Sequence, residues 1–303
     1  DEEYIQSIPC DLIRSISSAS EWSLSPAFGL CNKFAFIMQV RQKEYHYQWH
    51  EFSAPTDMRI LITNDDGIYS PGIAALARIA SQFGEVRIVA PDVEQSSMGH
   101  AVTHSRPLSY KPSPISFGGI TAYRVNGTPA DCVALGTHLW SKTDVVLSGI
   151  NLGPNLGNGM WHSGTLAAAK QAVLLGIKGI ALSTPVGKSE PNFDVIAPYV
   201  SQVLEELLEK PGLSLFNVNF PQHPKDIRWT RQSVRLYDGK IVPGTDPMNR
   251  KHYWFTVTPL EPAEEGTDRW AVENDFVSIT PLRLDLTNET ELQAALNSHA
   301  MSK

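Results

Sequence analysis

Met58-Arg59-Ile60-Leu61-Ile62-Thr63-Asn64-Asp65-Asp66-Gly67 runs from a short aliphatic segment straight into an amide, two carboxylates and a glycine. The aliphatic part does not alternate with polar residues, as expected of a strand buried on both faces of a parallel sheet. The polar part begins where that strand ends. Outward from this point the same order recurs. Further short apolar runs at Val86–Ala90, Asp144–Ser148, Gly179–Ser183 and Ser214–Val218 predict strands. Between them lie predicted helices. Ile73–Phe83 is amphipathic. Pro129–Trp140 has Thr128 as N-cap and Pro129 at its first position. Thr165–Leu175 is Ala-rich and stopped by Gly176, and Asp194–Lys210 is stopped by Pro211-Gly212. Strands alternating with helices imply an α/β fold with a doubly wound, mostly parallel sheet.

The flanks read differently. Residues 1–57 show neither a period of 2 nor one of 3.6. The chain does not begin with Met, and the text changes abruptly at Met58. Residues 1–57 are therefore expected to be an extension, or upstream sequence translated in error, outside the fold. Residues 58–224 form the expected Rossmann-like core. Residues 225–303 are β-rich, with strand-like runs near Arg228–Leu236, Tyr253–Pro259 and Phe276–Thr280 and a closing helix near Glu289–His299. They are expected to form an antiparallel lobe or C-terminal β-rich arm that mediates self-association.

Composition narrows the function. Of 303 residues, 42% are hydrophobic and 19% charged, which excludes a mostly disordered chain and a fibre. The net charge of −7, without a basic run, argues against a nucleic-acid polymer as partner. It leaves room for a single nucleotide. No apolar run reaches the ~20 residues of a membrane span, and no signal peptide is read at the start. Three scattered cysteines fit neither a disulfide framework nor a zinc site, so a cytoplasmic location is expected.

In an open parallel sheet, ligands bind beyond the carboxyl ends of the strands, where strand order reverses. The residues just after the strands are Asn64-Asp65-Asp66-Gly67, then Gln95-Ser96-Ser97, then Gly149-Ile150-Asn151. Two adjacent carboxylates repel unless a cation neutralises them. With a hydroxyl and an amide they form an all-oxygen donor set, suited to Mg²⁺ or Mn²⁺ rather than zinc. A turn or helix cap is the competing reading of Asp65-Asp66. The Gly- and Asn-rich loop 151–159 can aim backbone N–H groups at an anion. Ser163-Gly164-Thr165 opens a helix, which makes either a phosphate site or an ordinary N-cap. No P-loop and no G-x-G-x-x-G fingerprint is present. His100, His104 and His162 could line the pocket, and His138, inside a helix, is read as packing.

Taken together, these motifs resemble the SurE (survival protein E) family of metal-dependent 5′/3′-nucleotidases. The matching text is Arg59 to Gly67 with Pro71-Gly72-Ile73, Val89-Ala90-Pro91-Asp92 with Gln95-Ser96, and Asn126-Gly127-Thr128-Pro129-Ala130-Asp131-Cys132. Further on come Ser148-Gly149-Ile150-Asn151, Gly153-Pro154-Asn155-Leu156-Gly157, Ser163 to Ala169, Gly266-Thr267-Asp268 and Phe276 to Leu282. Ser97 departs from the pattern, because many members have Gly directly after the serine. The stretch after Asp268 is variable and leaves that residue without an assigned role.

The resemblance implies a three-layer α/β/α fold. It implies one divalent metal ion per subunit, Mg²⁺ or Mn²⁺, held by Asp65, Asp66, Ser96 and Asn151, with Asp65 and Asp66 catalytic. It also implies hydrolysis of nucleoside 5′- and 3′-monophosphates, with exopolyphosphatase activity as an addition, and a homodimer or homotetramer. Asn64, Asn155, Ser163, Gly164 and Thr165 are the expected phosphate or substrate contacts. A non-catalytic nucleotide or anion sensor is the rival from another class. A phosphatase with an aspartyl-phosphate intermediate is the rival enzyme, although adjacent aspartates lack the usual Asp-x-Asp spacing.

Overall fold

The computed structural model describes residues 57–140, 142–187, 191–234, 237–259 and 262–301. The extension expected over residues 1–57 lies, up to residue 56, outside the described residues.

The central run is a strand, β1 (Arg59–Thr63). It is flanked by β2 (Glu85–Pro91) and β5 (Val145–Leu152), parallel to it on either side. With β3 (Tyr110–Pro112), β4 (Thr121–Val125), β6 (Lys178–Thr184), β7 (Leu215–Asn219), β8 (Asp226–Trp229) and β11 (Phe276–Leu282) they form one sheet. Its order is β3-β4-β2-β1-β5-β6-β7-β11-β8. Only β3 on β4 and β11 on β7 run antiparallel. The chain builds the β2 side first, then returns to build the β6 side, so strand order reverses between β1 and β5.

Alternation along β1 divides the core. Ile60 and Ile62 pack with Ile73 and Leu76 of helix α1 (Pro71–Ala80) and with Ile196 and Val200 of α4 (Phe193–Glu209). Leu61 faces the other way, toward Cys132 and Val133 of α2 (Pro129–Leu139) and Ala168 and Ala172 of α3 (Gly164–Leu174). The result is the three-layer α/β/α arrangement. Caps fix the helix starts. Ser70 accepts from Gly72 ahead of α1, and Thr128 and Asp131 form a reciprocal capping box on α2.

The C-terminal third corrects the sequence reading. Only β9 (Tyr237–Thr245) and β10 (Lys251–Pro259) form an arm, a separate antiparallel pair. Of the run read near Arg228–Leu236, only Arg228 and Trp229 lie in a strand, β8, and β9 begins just beyond it. β11 and β8 belong to the main sheet, because β11 inserts between β7 and β8 and pairs with both. Helix α5 (Asp268–Glu273) precedes β11, and α6 (Glu289–Met301) closes the chain. Both β3 and β4 were missed. His138 is exposed in the last turn of α2 and does not pack inward as expected.

Candidate active site

Asp65 and Asp66 follow β1 at the point where strand order reverses. The neighbouring loops are tied to them by backbone bonds. The N–H of Gln95 donates to the carbonyl of Asp65 at 2.7 Å, which seats the loop after β2. The N–H of Leu152, at the end of β5, donates to Oδ2 of Asp66 at 3.1 Å. The turn itself is closed by Asn64, whose amide donates to the Gly67 carbonyl at 2.9 Å and accepts from the Gly67 N–H at 3.1 Å. Gly67 has φ +90°, a left-handed conformation that a glycine adopts without penalty. Asn64 is fully buried and spends its side chain on this turn instead of reaching a substrate.

Asp65 is buried, and helix α3 begins against it. The Thr165 hydroxyl donates to Oδ1 of Asp65 at 2.7 Å, and the Thr165 N–H adds a second bond. A β-carbon at Gly164 would lie 2.8 Å from that of Asp65, so the helix can approach this closely only through a glycine. The anion at this helix start is therefore Asp65 itself. Ser163 accepts from the Leu166 N–H at 3.0 Å, the ordinary N-cap. Asn155 donates to Ser183 Oγ at 2.8 Å and to Thr165 Oγ1 at 3.3 Å. Its own carbonyl accepts from Asn217 at 2.7 Å and Asn219 at 3.1 Å. Ser183, Asn155 and Thr165 thus form a buried polar chain ending on Asp65. The side chains of Asn155, Ser163 and Thr165, expected on the phosphate, point into internal bonds.

Asp66 is more open. It borders a cavity of about 380 Å³ lined also by Tyr69, Ser70, Glu94, Ser96 and Leu152. Within it Ser96 donates to Oε1 of Glu94 at 2.6 Å. Asn151 lies beside Leu152, and its amide donates to the Gly153 carbonyl at 2.6 Å. Sequence reasoning missed Glu94. The available signal was an acidic residue two positions before Ser96 in a loop at the ligand edge.

Burial pushes the Asp65 carboxyl above its ordinary range, with the Thr165 bonds opposing it and Glu94 adding to it. Asp66 is pushed up to about 6, first by burial, then by the nearby charges of Asp65 and Glu94, against the bond from Leu152. Among the described residues, no Lys or Arg forms a salt bridge with any of the three. A buried and a half-buried carboxylate beside a third acid, with no salt-bridging cation among the described residues, fit a hard divalent ion. The other imposed geometry is on β5. Gly149 has φ +140°, and a β-carbon there would run into the Leu182 carbonyl.

The loop after β5 is fixed from far along the chain. Asp268, fully buried, accepts from the Gly157 N–H at 2.8 Å and the Ser233 N–H at 2.9 Å. That supplies the role the sequence left open. His100 contacts Gln171 at 3.0 Å, and the Gly99 N–H donates to the His162 carbonyl at 3.0 Å, so these histidines stand on neighbouring loops.

Comparisons with known proteins agree with this architecture. The family model for survival protein SurE matches residues 60–239. A relative described as 5′-nucleotidase SurE 1, from Thermus thermophilus, is 48% identical over 242 residues, covering 78% of this chain and 96% of its own. A 5′-nucleotidase SurE from Deinococcus radiodurans is 44% identical over 236 residues, covering 76% and 88%. The crystal structure of a SurE protein from Aquifex aeolicus superposes with a TM-score of 0.66 at 39% identity, covering 78% of this chain and 97% of that one.

Proposed function

The chain belongs to the SurE family, and from that membership we propose that it is a nucleotidase, a metal-dependent phosphomonoesterase acting on nucleoside 5′- and 3′-monophosphates. Exopolyphosphatase activity is included in the proposal. The observation that carries the reading is the pair Asp65-Asp66, one buried and one half-buried at the point of strand-order reversal, with no Lys or Arg among the described residues salt-bridged to either. Asp65, Asp66, Ser96 and Asn151 would hold one Mg²⁺ or Mn²⁺. When bound, such an ion supplies charge neutralisation and Lewis acidity toward a phosphate oxygen.

The chain's own residues divide the remaining work. Asp65 is the fixed anchor, held by the Thr165 N–H and O–H and fenced by Gly164. Asp66 borders the open cavity and orients the attacking water in line with the leaving oxygen. Asn155 and Thr165 are positioning residues that set the Asp65 rotamer. Phosphoryl transfer needs little covalent chemistry from a protein, so holding these groups in register is most of the catalysis.

Self-association through the β9–β10 arm, as a homodimer or homotetramer, is part of the same proposal. A lone two-stranded hairpin is marginally stable in water. This one leaves Tyr253, Trp254 and Phe255 each more than 60% exposed.

Phosphate release from AMP with Mn²⁺, and its loss on chelation, tests the reading. Tight nucleotide binding without turnover returns it to the sensor class. A trapped phosphoenzyme returns it to the aspartyl-phosphate class.

A further inference from the structure

The loop after β2 contributes to two cavities of opposite character. Glu94 and Ser96 line the acidic cavity with Asp66. Asp92 lines a second cavity of about 250 Å³, together with Ser109, Lys111, Arg124 and Asn126. Lys111 and Arg124 stand directly opposite each other on the antiparallel β3–β4 pair. Like charges in that position destabilise a sheet unless something neutralises them. Among the described residues neither forms a salt bridge, and Nε of Arg124 is buried without a hydrogen-bond partner. A third cation, Arg106, donates to the Asn126 carbonyl at the rim. In a chain of net charge −7, this is a local positive basin.

We infer that this second cavity is an anion subsite, and that it takes a second phosphoryl group of a substrate whose first lies at Asp65-Asp66. The inference rests on the nucleotidase reading for the identity of that substrate, but not for the anion binding itself. The ends of strands β2 and β4 place the subsite on the same carboxyl edge as Asp66, one loop away. Asp92 and Glu94 are two residues apart, so their Cα atoms are separated by no more than about 7 Å. The 5′- and 3′-phosphates on one ribose are a comparable distance apart, as are the terminal groups of a short inorganic phosphate chain. Lys111 and Arg124 attract the second phosphate, with Ser109 and Asn126 beside them for orientation. Asp92 disfavours anions that arrive without enough charge to outweigh it.

The test uses Lys111→Gln, Arg124→Gln and the double variant in the full chain. Neither residue touches the Asp65-Asp66 cavity. Without added metal, pyrophosphate binding is read by calorimetry, since the uncompensated carboxylates then repel anions from the other cavity. The double variant is expected to bind at least ten-fold more weakly. With Mn²⁺, KM for adenosine 3′,5′-bisphosphate rises by a similar factor at constant kcat, while KM for adenosine 5′-monophosphate stays within two-fold. A parallel rise for tripolyphosphate assigns the subsite to inorganic chains as well, and no such rise assigns it to the nucleotide alone. Unchanged pyrophosphate affinity, or equal effects on bisphosphate and monophosphate, overturns the inference. Lys111 is exposed, so its single variant keeps the test open if Arg124→Gln fails to fold. Absence of any phosphate release from the wild type defeats the nucleotidase reading, and the pyrophosphate arm still decides the subsite.

Discussion

Replacing Asp66 with Asn should stabilise the metal-free protein at neutral pH. Its carboxyl is raised from 3.8 to about 6, chiefly by burial. A rise of a little over two pH units, at about 1.4 kcal/mol each, makes ionised Asp66 a cost of about 3 kcal/mol. The sign follows from proton binding. The folded state holds the Asp66 proton more tightly than the unfolded chain, so stability is greatest below pH ~4. It is lost as pH rises through about 6. Asn keeps the shape, and its side-chain oxygen still accepts from Leu152. The variant should therefore melt about 6–12 °C higher than wild type in chelator at pH 7.5. At pH 4 the difference should vanish, because wild-type Asp66 is then protonated. Added Mn²⁺ nearly closes the gap, since an ion at 100 times its Kd returns about 2.7 kcal/mol to the wild type alone. Scanning calorimetry at two pH values, with and without metal, reads all four quantities. A variant less stable than wild type in chelator, or a difference independent of pH, would refute the claim that ionised Asp66 costs the fold free energy.

Other perturbations follow from the same geometry. Chelation should abolish phosphate release and Mg²⁺ or Mn²⁺ restore it, while Asp65→Asn keeps the fold by circular dichroism and loses most turnover. Thr165→Val removes a hydroxyl from a charged carboxylate. It should weaken kcat/KM by the equivalent of about 1.5–3 kcal/mol. Ser163→Ala removes only a cap, costing about 1 kcal/mol of stability with unaltered turnover in the folded fraction. Trp254→Ser with Phe255→Ser should shift the population to monomer in light scattering without unfolding the core, and a wild type that is itself monomeric at micromolar concentration sinks the association proposal.

The core was legible because its strands are buried on both faces and therefore read as unbroken aliphatic runs. β1 was placed residue for residue. β4 was not, because Thr121-Ala122-Tyr123-Arg124-Val125 carries polar residues near the sheet edge and breaks the run. β3 is three residues ending on proline, too short to carry a period. Around the carboxylates, the residue types were visible and their directions were not. A small hydroxyl residue at a helix start reads the same whether it faces solvent or a buried acid. Only packing against β1, a hundred residues earlier, turns Thr165 inward. β11 was recognised as a strand, but its parallel pairing with β8 leaves no local trace in either segment.

The buried carboxylate of Asp268 has a consequence for the order in which the protein is made. As the chain leaves the ribosome, β1 to β7 can assemble nearly in sequence, each strand finding a partner already present except β3, which waits only for the next strand, β4. β8 cannot, because its neighbour β11 has yet to be translated. Nor can the Gly157 N–H find its acceptor, which arrives 111 residues later. A nascent chain stopped short of Asp268 would thus display the carboxylates of Asp65 and Asp66 beside an unclamped loop. The proposed hydrolytic competence would therefore be acquired late, with the last strand of the main sheet, and would not accumulate on unfinished chains.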